Sequence, residues 1–434
     1  MHITFTVAVI ALFALVYVFL MTDIRHRTAV AMLGAAATIF VAEVFYGNTE
    51  DFWSFIDFET LALLMGMMII VGILAHSGFF EYLGVRTLQL SKGDPVKFFF
   101  GMFFLTAFTS AFLDNVTTVL LMTPLVLYVT AILEIDPMPF LLGEIMASNI
   151  GGTATLIGDP PNIMIGTGAG LSFIQFIKYE TPISILNVIM AAFFIYFIFK
   201  DKFTLKHPDG VEEKIKGFEP DKAIKNRYLM RAGLAILLFV IVLFFVSDII
   251  GVSEAVVALL GGSLALFLVI DHETVEKVVM QVEWTTLLFF MSLFIIVGYL
   301  DSTGVLDMVA QWMVKVSGGD KVVLVMVILW GSAVISAFVD NIPFTATMIP
   351  VISSLIARDP SLNTHNVLWW ALSMGACLGG NGTVIGASAN VVVSGIAKKN
   401  GIDINFKNYA KVGAPVTIFI LIISSVYLYF LATL

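Results

Sequence analysis

The sequence predicts an all-α polytopic membrane protein built as an inverted-topology repeat, with about ten spanning helices, two of them broken, plus two helical hairpins. Three observations predict it. The chain is 59% hydrophobic and only 13% charged over 434 residues, with charge-free runs such as 284–300 and 412–434 long enough to cross a bilayer. A polar interruption in an apolar run, SAFLDNVTTVLLMTP from Ser110, returns 226 residues later as SAFVDNIPFTATMIP from Ser336. Two Gly-rich stretches, GGTATLIGDPPN from Gly151 and GGNGTVIGASAN from Gly379, break hydrophobic segments in the same order.

Spanning helices are expected near residues 3–20, 28–46, 60–77, 137–178 (long and broken), 181–200, 229–247, 253–270, 284–300, 364–397 (broken) and 412–433. The first run lacks a basic leader and a small-residue cleavage site, so it reads as a retained helix. Segments 96–134 and 320–357 each have two apolar arms joined at Asp-Asn, and a hairpin leaves the membrane on the side where it entered. With that parity nineteen of the 23 Lys and Arg residues fall on one side, nine of them in 200–231, and only Lys178, Lys315, Lys321 and Arg358 on the other. The positive-inside rule then puts the N-terminus outside and the charged linker 201–227 in the cytoplasm, for a protein integral to an inner or plasma membrane. The linker separates a first repeat, 1–200, whose hairpin enters from the cytoplasm, from a second, 228–434, whose hairpin enters from outside. The net charge of −9 lies mainly in loops and suggests no nucleic-acid partner; membrane lipid is the expected surrounding. The single Cys377 excludes an internal disulfide and is expected to be a buried, inert thiol.

The repeat holds over long stretches. LLMGMMIIVGILAHSGF from Leu63 matches FFMSLFIIVGYLDSTGV from Phe289, pairing Gly72 with Gly298 and Gly78 with Gly304. Asp114 pairs with Asp340, Asn115 with Asn341 and Pro124 with Pro350; after a two-residue slip Thr155 pairs with Thr383, Gly158 with Gly386 and Asn162 with Asn390. Five crossings in each half make the second copy inverted relative to the first. Inverted repeats with interrupted helices are the architecture of secondary transporters, with the site near the bilayer midplane.

Hairpins entering from opposite faces can bring both Asp-Asn tips to one cavity, where non-helical backbone is tolerated. Burying an aspartate costs at least ~2.5 kcal/mol on insertion scales, and two symmetric copies argue for function beyond helix capping. Asp114, Asn115, Asp340 and Asn341 are the expected Na⁺ ligands, and Thr117, Thr118, Thr345, Asn149, Gly152, Thr155, Asn162, Asn381, Thr383 and Asn390 are expected to line the ion or substrate site. Asp159, in GDPPN, is either a cap for the helix opened by Pro160 and Pro161 or a site residue, because Ala387, Ser388 and Ala389 stand opposite it in the second copy. Glu144 is expected at the membrane interface, and Glu59 and His76 at solvated helix ends. No resident cofactor is expected, only Na⁺ or H⁺ as coupling ion. No H-E-x-x-H or G-x-S-x-G pattern supports a membrane enzyme.

The four motifs AFLDNVTTVLLMTP, NIGGTATLIGDPPNIMIG, DNIPFTATMIPV and GACLGGNGTVIGASANVVVSGIA, in fixed order, resemble the arsenite-permease and P-protein branch of the ion transporter superfamily. NhaD-type sodium/proton antiporters and divalent anion/sodium symporters are related to it. The resemblance covers nearly the whole chain. It implies a homodimer whose hairpins and broken helices slide against a scaffold in an elevator-like cycle, with 79–92 and 304–318 as surface arms. The symporters' tips read Ser-Asn-Thr, whereas this chain has Asp114-Asn115-Val116 and Asp340-Asn341-Ile342. The added negative charge disfavours a di- or tricarboxylate unless cations or protons neutralise it. Arsenite, neutral as the hydroxide near pH 7, escapes that repulsion, and the sequence does not separate the leading expectation, cation/proton antiport, from an arsenite or anion permease carrying a small inorganic ion or small anion; a gated ion channel is the alternative of a different class.

Overall fold

The architecture follows from where the apolar runs are capped and where they are broken. The computed structural model describes residues 2–22, 24–47, 52–205, 215, 217, 219–269 and 271–434; part of the expected linker, 206–214, 216 and 218, lies outside the described residues. Among the described residues the chain is helical with no strand, and eight helices are long and apolar enough to span a bilayer.

The first copy opens with α1 (His2–Thr22), α2 (Arg27–Tyr46) and α3 (Phe58–His76). Next come α4 (Phe79–Ser91), then α5 (Pro95–Ser110) and α6 (Asn115–Leu133) as the hairpin. The broken helix is α7 (Met138–Gly152) and α8 (Pro160–Ala169), followed by α9 (Phe173–Tyr179) and α10 (Thr181–Phe199). The second copy repeats the plan with α11 (Arg227–Ile250), α12 (Glu254–Leu268), α13 (His272–Gln281), α14 (Trp284–Ser302) and α15 (Val305–Ser317). Its hairpin is α16 (Lys321–Ser336) and α17 (Asn341–Arg358), its broken helix α18 (Val367–Gly379) and α19 (Ser388–Lys399), and α20 (Phe406–Thr433) closes the chain.

Matched residues start matched elements. Asp94 accepts from the Val96 and Lys97 amides and caps α5; Asp320, its counterpart, accepts from Val323 N and caps α16. Gly78 and Gly304 both adopt a positive φ, 84° and 76°, turning the chain into α4 and α15. Two elements differ from expectation. The stretch 137–178 divides again at Ser172, where a Ser172–Gln175 capping box starts α9 as a separate helix. A charged ten-residue helix, α13, follows α12, begun by Asp271 accepting from Thr274 N and anchored through buried Val278; its polarity hides it from a search for apolar spans.

The copies pack crosswise. Helices α1 and α2 of the first copy hold α14 of the second, while α11 and α12 of the second hold α3 of the first. The α3–α12 crossing is close because small residues meet there: a Cβ on Gly66 would stand 2.4 Å from the Ala258 carbonyl. In lipid, where apolar side chains gain little by leaving the solvent, such backbone approach supplies much of the packing. The hairpins and broken helices form the other body: α5 packs on α7, α16 on α18, α6 on α19 and α17 on α8, with α10 and α20 against its flank.

Candidate functional site

Each hairpin tip is built by an aspartate ending one turn and starting a helix. Asp114 Oδ1 accepts from Thr117 N at 2.8 Å, and Asp340 Oδ1 from Ile342 N at 3.1 Å. Both aspartates are caps, and each carboxylate keeps a second oxygen for other work. Behind the tips, Thr155 and Thr383 donate their hydroxyls to the Ala111 and Ala337 carbonyls, fastening each broken helix to its own hairpin. Ser110 and Ser336 repeat the fastening, donating to the Ser148 and Ala376 carbonyls at 2.7 and 2.6 Å.

The breaks need glycine because backbones touch. A Cβ on Gly158 would lie 2.6 Å from both the Gly152 and Ser110 carbonyl oxygens, and one on its counterpart Gly386 would lie 2.7 Å from the Gly380 oxygen. Across each break runs an asparagine. Asn162 Nδ2 donates to the carbonyls of Gly152, Thr153 and Thr155 at 3.4, 3.1 and 3.0 Å; Asn390 Nδ2 donates to those of Gly380 and Thr383 at 2.7 and 2.9 Å. These matched amides and the carbonyls they hold, Gly152 O among them, are occupied in shaping the break.

The two halves join in one buried polar network. Asn149 Nδ2 donates to Asn381 Oδ1 at 3.0 Å and Asn390 Oδ1 at 2.9 Å, and Asn149 Oδ1 accepts from Asn115 Nδ2 at 3.1 Å. Asn115 Nδ2 also reaches Asp159 Oδ1 at 3.3 Å, while Asn341 Nδ2, from the opposite tip, lies 3.4 and 3.3 Å from Asp159 Oδ1 and Oδ2. Of the two expected roles for Asp159 the cap is not taken: it stands at the N-cap position of α8, yet its side chain accepts no cap hydrogen bond and turns to both tips. Asp159 is fully buried, and no ion pair reaches it among the described residues. The Thr118 and Thr345 hydroxyls and Asn381 Nδ2 are buried with no hydrogen-bond partner among the described residues. Buried polar groups are nearly always satisfied, and these three are free to take a water or a small ligand. Cys377 takes the place of Asn149 in the second copy, and its thiol donates to Asn162 Oδ1 at 3.5 Å beside Ser373 Oγ at 2.7 Å.

A cavity of about 280 Å³ opens beside the tips, lined among others by Arg27, Asp114, Val116, Glu283, Ile342 and Ser388. Two of these, Arg27 and Glu283, escaped the sequence. Arg27 had the look of a loop charge, yet its Nη1 lies 2.6 Å from Asp340 Oδ2 and 2.5 Å from Ser388 Oγ. Glu283 was legible in principle: at the repeat spacing it matches Asp57, and Thr286 matches Thr60. Asp57 Oδ2 accepts from Thr60 Oγ1 and from Thr167 Oγ1 of α8, both at 2.6 Å, tying α8 to the start of α3; among the described residues Glu283 Oε2 accepts from Thr286 alone, in its own first turn, at 2.8 Å, and Glu283 lines the cavity. Glu144 corrects an expectation. It is buried rather than interfacial, accepting from Thr123 Oγ1 of α6 at 3.0 Å.

A family model described as citrate transporter matches residues 17–375. The chain is 38% identical to a 46 kDa membrane protein of Mycobacterium leprae over 98% of both chains, and 37% identical to an uncharacterized transporter of Mycobacterium tuberculosis, again over 98% of both. It is 34% identical to the P protein of Mus musculus over 96% of this chain and 59% of that longer one. Among solved structures, the YdaH transporter of Alcanivorax borkumensis superposes with a TM-score of 0.60 at 14% identity, covering 99% of this chain and 97% of that one.

Proposed function

The chain belongs to the citrate transporter family and is a membrane transporter, and from that premise we propose that it works by alternating access, coupled to Na⁺ or H⁺ at the paired tips, most simply as a cation/proton antiporter. The observation that carries this reading is Asp159. A fully buried carboxylate held by two amides and no cation carries an unbalanced charge that costs several kcal/mol. An exchangeable cation arriving between Asn115, Asn341 and Asp159 removes that cost. To take a hard ion such as Na⁺, Asn115 and Asn341 would turn their Oδ1 atoms toward it in place of the Nδ2 donors that now reach Asp159.

The unequal sides support a sliding cycle. The cavity is lined by Met68, midway along α3, and by Glu283 to Phe289 at the start of α14, the inverted partner of α3. The α3 residue matching the middle of that α14 stretch is Thr60, about eight residues from Met68. At roughly 1.5 Å per residue, mirrored states would differ by a travel of about 12 Å. In the orientation set by the basic loops the cavity faces the cytoplasm, with the N-terminus and the Asp57–Thr167 contact outside. Helix α1 leaves Val7, Leu15 and Val18 exposed, room for lipid or a second copy in a homodimer.

A second reading is carboxylate transport, favoured by the family and by the guanidinium at the cavity wall. Asp114 and Glu283 repel a bare polyanion there, so citrate fits only with its charge masked by bound cations. Purified protein in liposomes holding a pH dye separates the readings when Na⁺, arsenite and citrate are offered in turn. Saturable proton release driven by a Na⁺ gradient supports antiport. Citrate uptake that needs no cation refutes cation coupling, and flux linear with voltage marks a channel.

A further inference from the structure

Asp340 is already occupied, by a positive charge that belongs to the protein. Its Oδ1 caps α17 through Ile342 N, and its Oδ2, the oxygen left for a ligand, accepts from Arg27 Nη1 at 2.6 Å and from Ser388 Oγ at 2.7 Å. Arg27 is the first residue of α2, in the body formed by α1, α2 and α14, whereas Asp340 and Ser388 start α17 and α19 in the other body. Among the described residues no other ion pair joins a hairpin tip to the α1–α2–α14 body. Among the described residues Asp114 has no such ion-pair partner. The residue matching Arg27 in the second copy is Ser253, and Asp114 faces the open cavity. The Arg27 side chain is 31% exposed and that of Asp340 13%, so water reaches the pair and it can part without stranding a charge in a dry interior.

We propose that Arg27 is a tethered cation that stands in for the coupling ion at Asp340, holding the unloaded carrier in the state with the cavity open. The inference rests on the alternating-access reading above. A free cation and the guanidinium compete for one carboxylate oxygen, so loading the tip releases the carriage from α2 and emptying it restores the latch. Arg27 acts through Asp340 and is a positioning residue.

The test places the reporter cysteine Val116→Cys in a Cys377→Ser background in liposomes and follows its reaction with an impermeant maleimide from each face while Na⁺ is titrated. The parent without Na⁺ is expected to react from the cavity face alone, and from the other face as Na⁺ rises. Arg27→Gln is expected to react from both faces without Na⁺ and to need roughly fivefold less Na⁺ for half of the change, the upper end for a partly exposed ion pair. Arg27→Lys restores the parent behaviour. If Arg27→Gln fails to run as a single species on size exclusion, Asp340→Asn, which keeps the capping oxygen, carries the test with the same expected loss of sidedness. Parent-like sidedness and Na⁺ midpoint in a folded Arg27→Gln or Asp340→Asn protein overturn the proposal. A parent that reacts from one face under every condition refutes alternating access itself, and the proposal with it.

Discussion

Replacing Asp159 by Asn separates a coupling carboxylate from a structural one, because the two roles move stability in opposite directions. In Na⁺-free buffer the wild-type carboxylate is buried with two amide donors and no cation. Where Asp159 is ionised, the substitution removes a charge whose burial costs several kcal/mol and gives up part of two charge-assisted hydrogen bonds, leaving a net gain of about 1–2 kcal/mol. Sodium reverses the order. At one hundred times its dissociation constant, a ligand bound only by the folded state adds about 2.7 kcal/mol. With roughly 2.1 cal/mol/K of unfolding entropy per residue, 434 residues give about 0.9 kcal/mol/K, so Na⁺ raises the wild-type midpoint by about 3 °C. A helical membrane protein loses less order on unfolding than that average, which makes 3 °C a lower bound. Tryptophan fluorescence during heating, with choline replacing Na⁺ at constant ionic strength, reads both quantities. Asp159→Asn is expected to melt at or above the wild-type temperature without Na⁺ and to lose the part of the Na⁺ shift that Asp159 contributes. A variant that keeps the full shift, or that melts several degrees lower without Na⁺, refutes the assignment.

On the side away from Arg27, Thr167→Val removes the 2.6 Å bond to Asp57, and maleimide labelling of a cysteine at Leu63 from that side is expected to rise roughly fivefold; unchanged labelling would show that the contact is not a gate. Gly158→Ala drives a Cβ to 2.6 Å from two carbonyl oxygens and is expected to yield aggregated protein on size exclusion, whereas Gly331→Ala, with nothing within 4 Å, leaves the elution profile unchanged and gains up to about 1 kcal/mol in helix α16. Asp307 on arm α15 is held down to about 2 by Arg358, with Ser354 and Gln311 adding to it. Its contribution is present above the ordinary carboxylate range and is lost only as pH falls toward about 2, so Asp307→Asn leaves the midpoint of a transport profile measured over about pH 5–8 unmoved.

The sequence made the scaffold legible because its signals are local and doubled. Apolar length, capping Asp94 and Asp320, and the glycines of the breaks each act within a few residues, and each occurs twice at one spacing. The tips were legible for the same reason. What stayed hidden depends on how the two bodies sit together. Nothing local distinguishes Arg27 from a basic loop residue, since its partner lies 313 positions away and meets it across the interface between bodies. The matched Asn162 and Asn390 look like ligands in sequence, whereas in space their amide nitrogens bind the carbonyls of their own breaks. Asn149 had no symmetric partner to recommend it, and it is the residue that ties Asn115 to Asn381 and Asn390. Glu144 misled because an acidic residue one or two turns before a break suits an interface; only the packing of α6 on α7 gives it Thr123.

The mismatch of Asn149 with Cys377 supplies an instrument as well as an asymmetry. The chain's one thiol is fully buried, hydrogen-bonded to Asn162 and next to the network that joins the two halves. A buried thiol away from positive charge is chemically quiet, so its reaction rate measures how often the core around it comes apart. A carriage that travels as one solid piece keeps that thiol silent throughout turnover. One that flexes at its centre exposes it at a rate tied to the transport cycle. The native protein therefore contains, without engineering, a clock for whether its moving part stays intact.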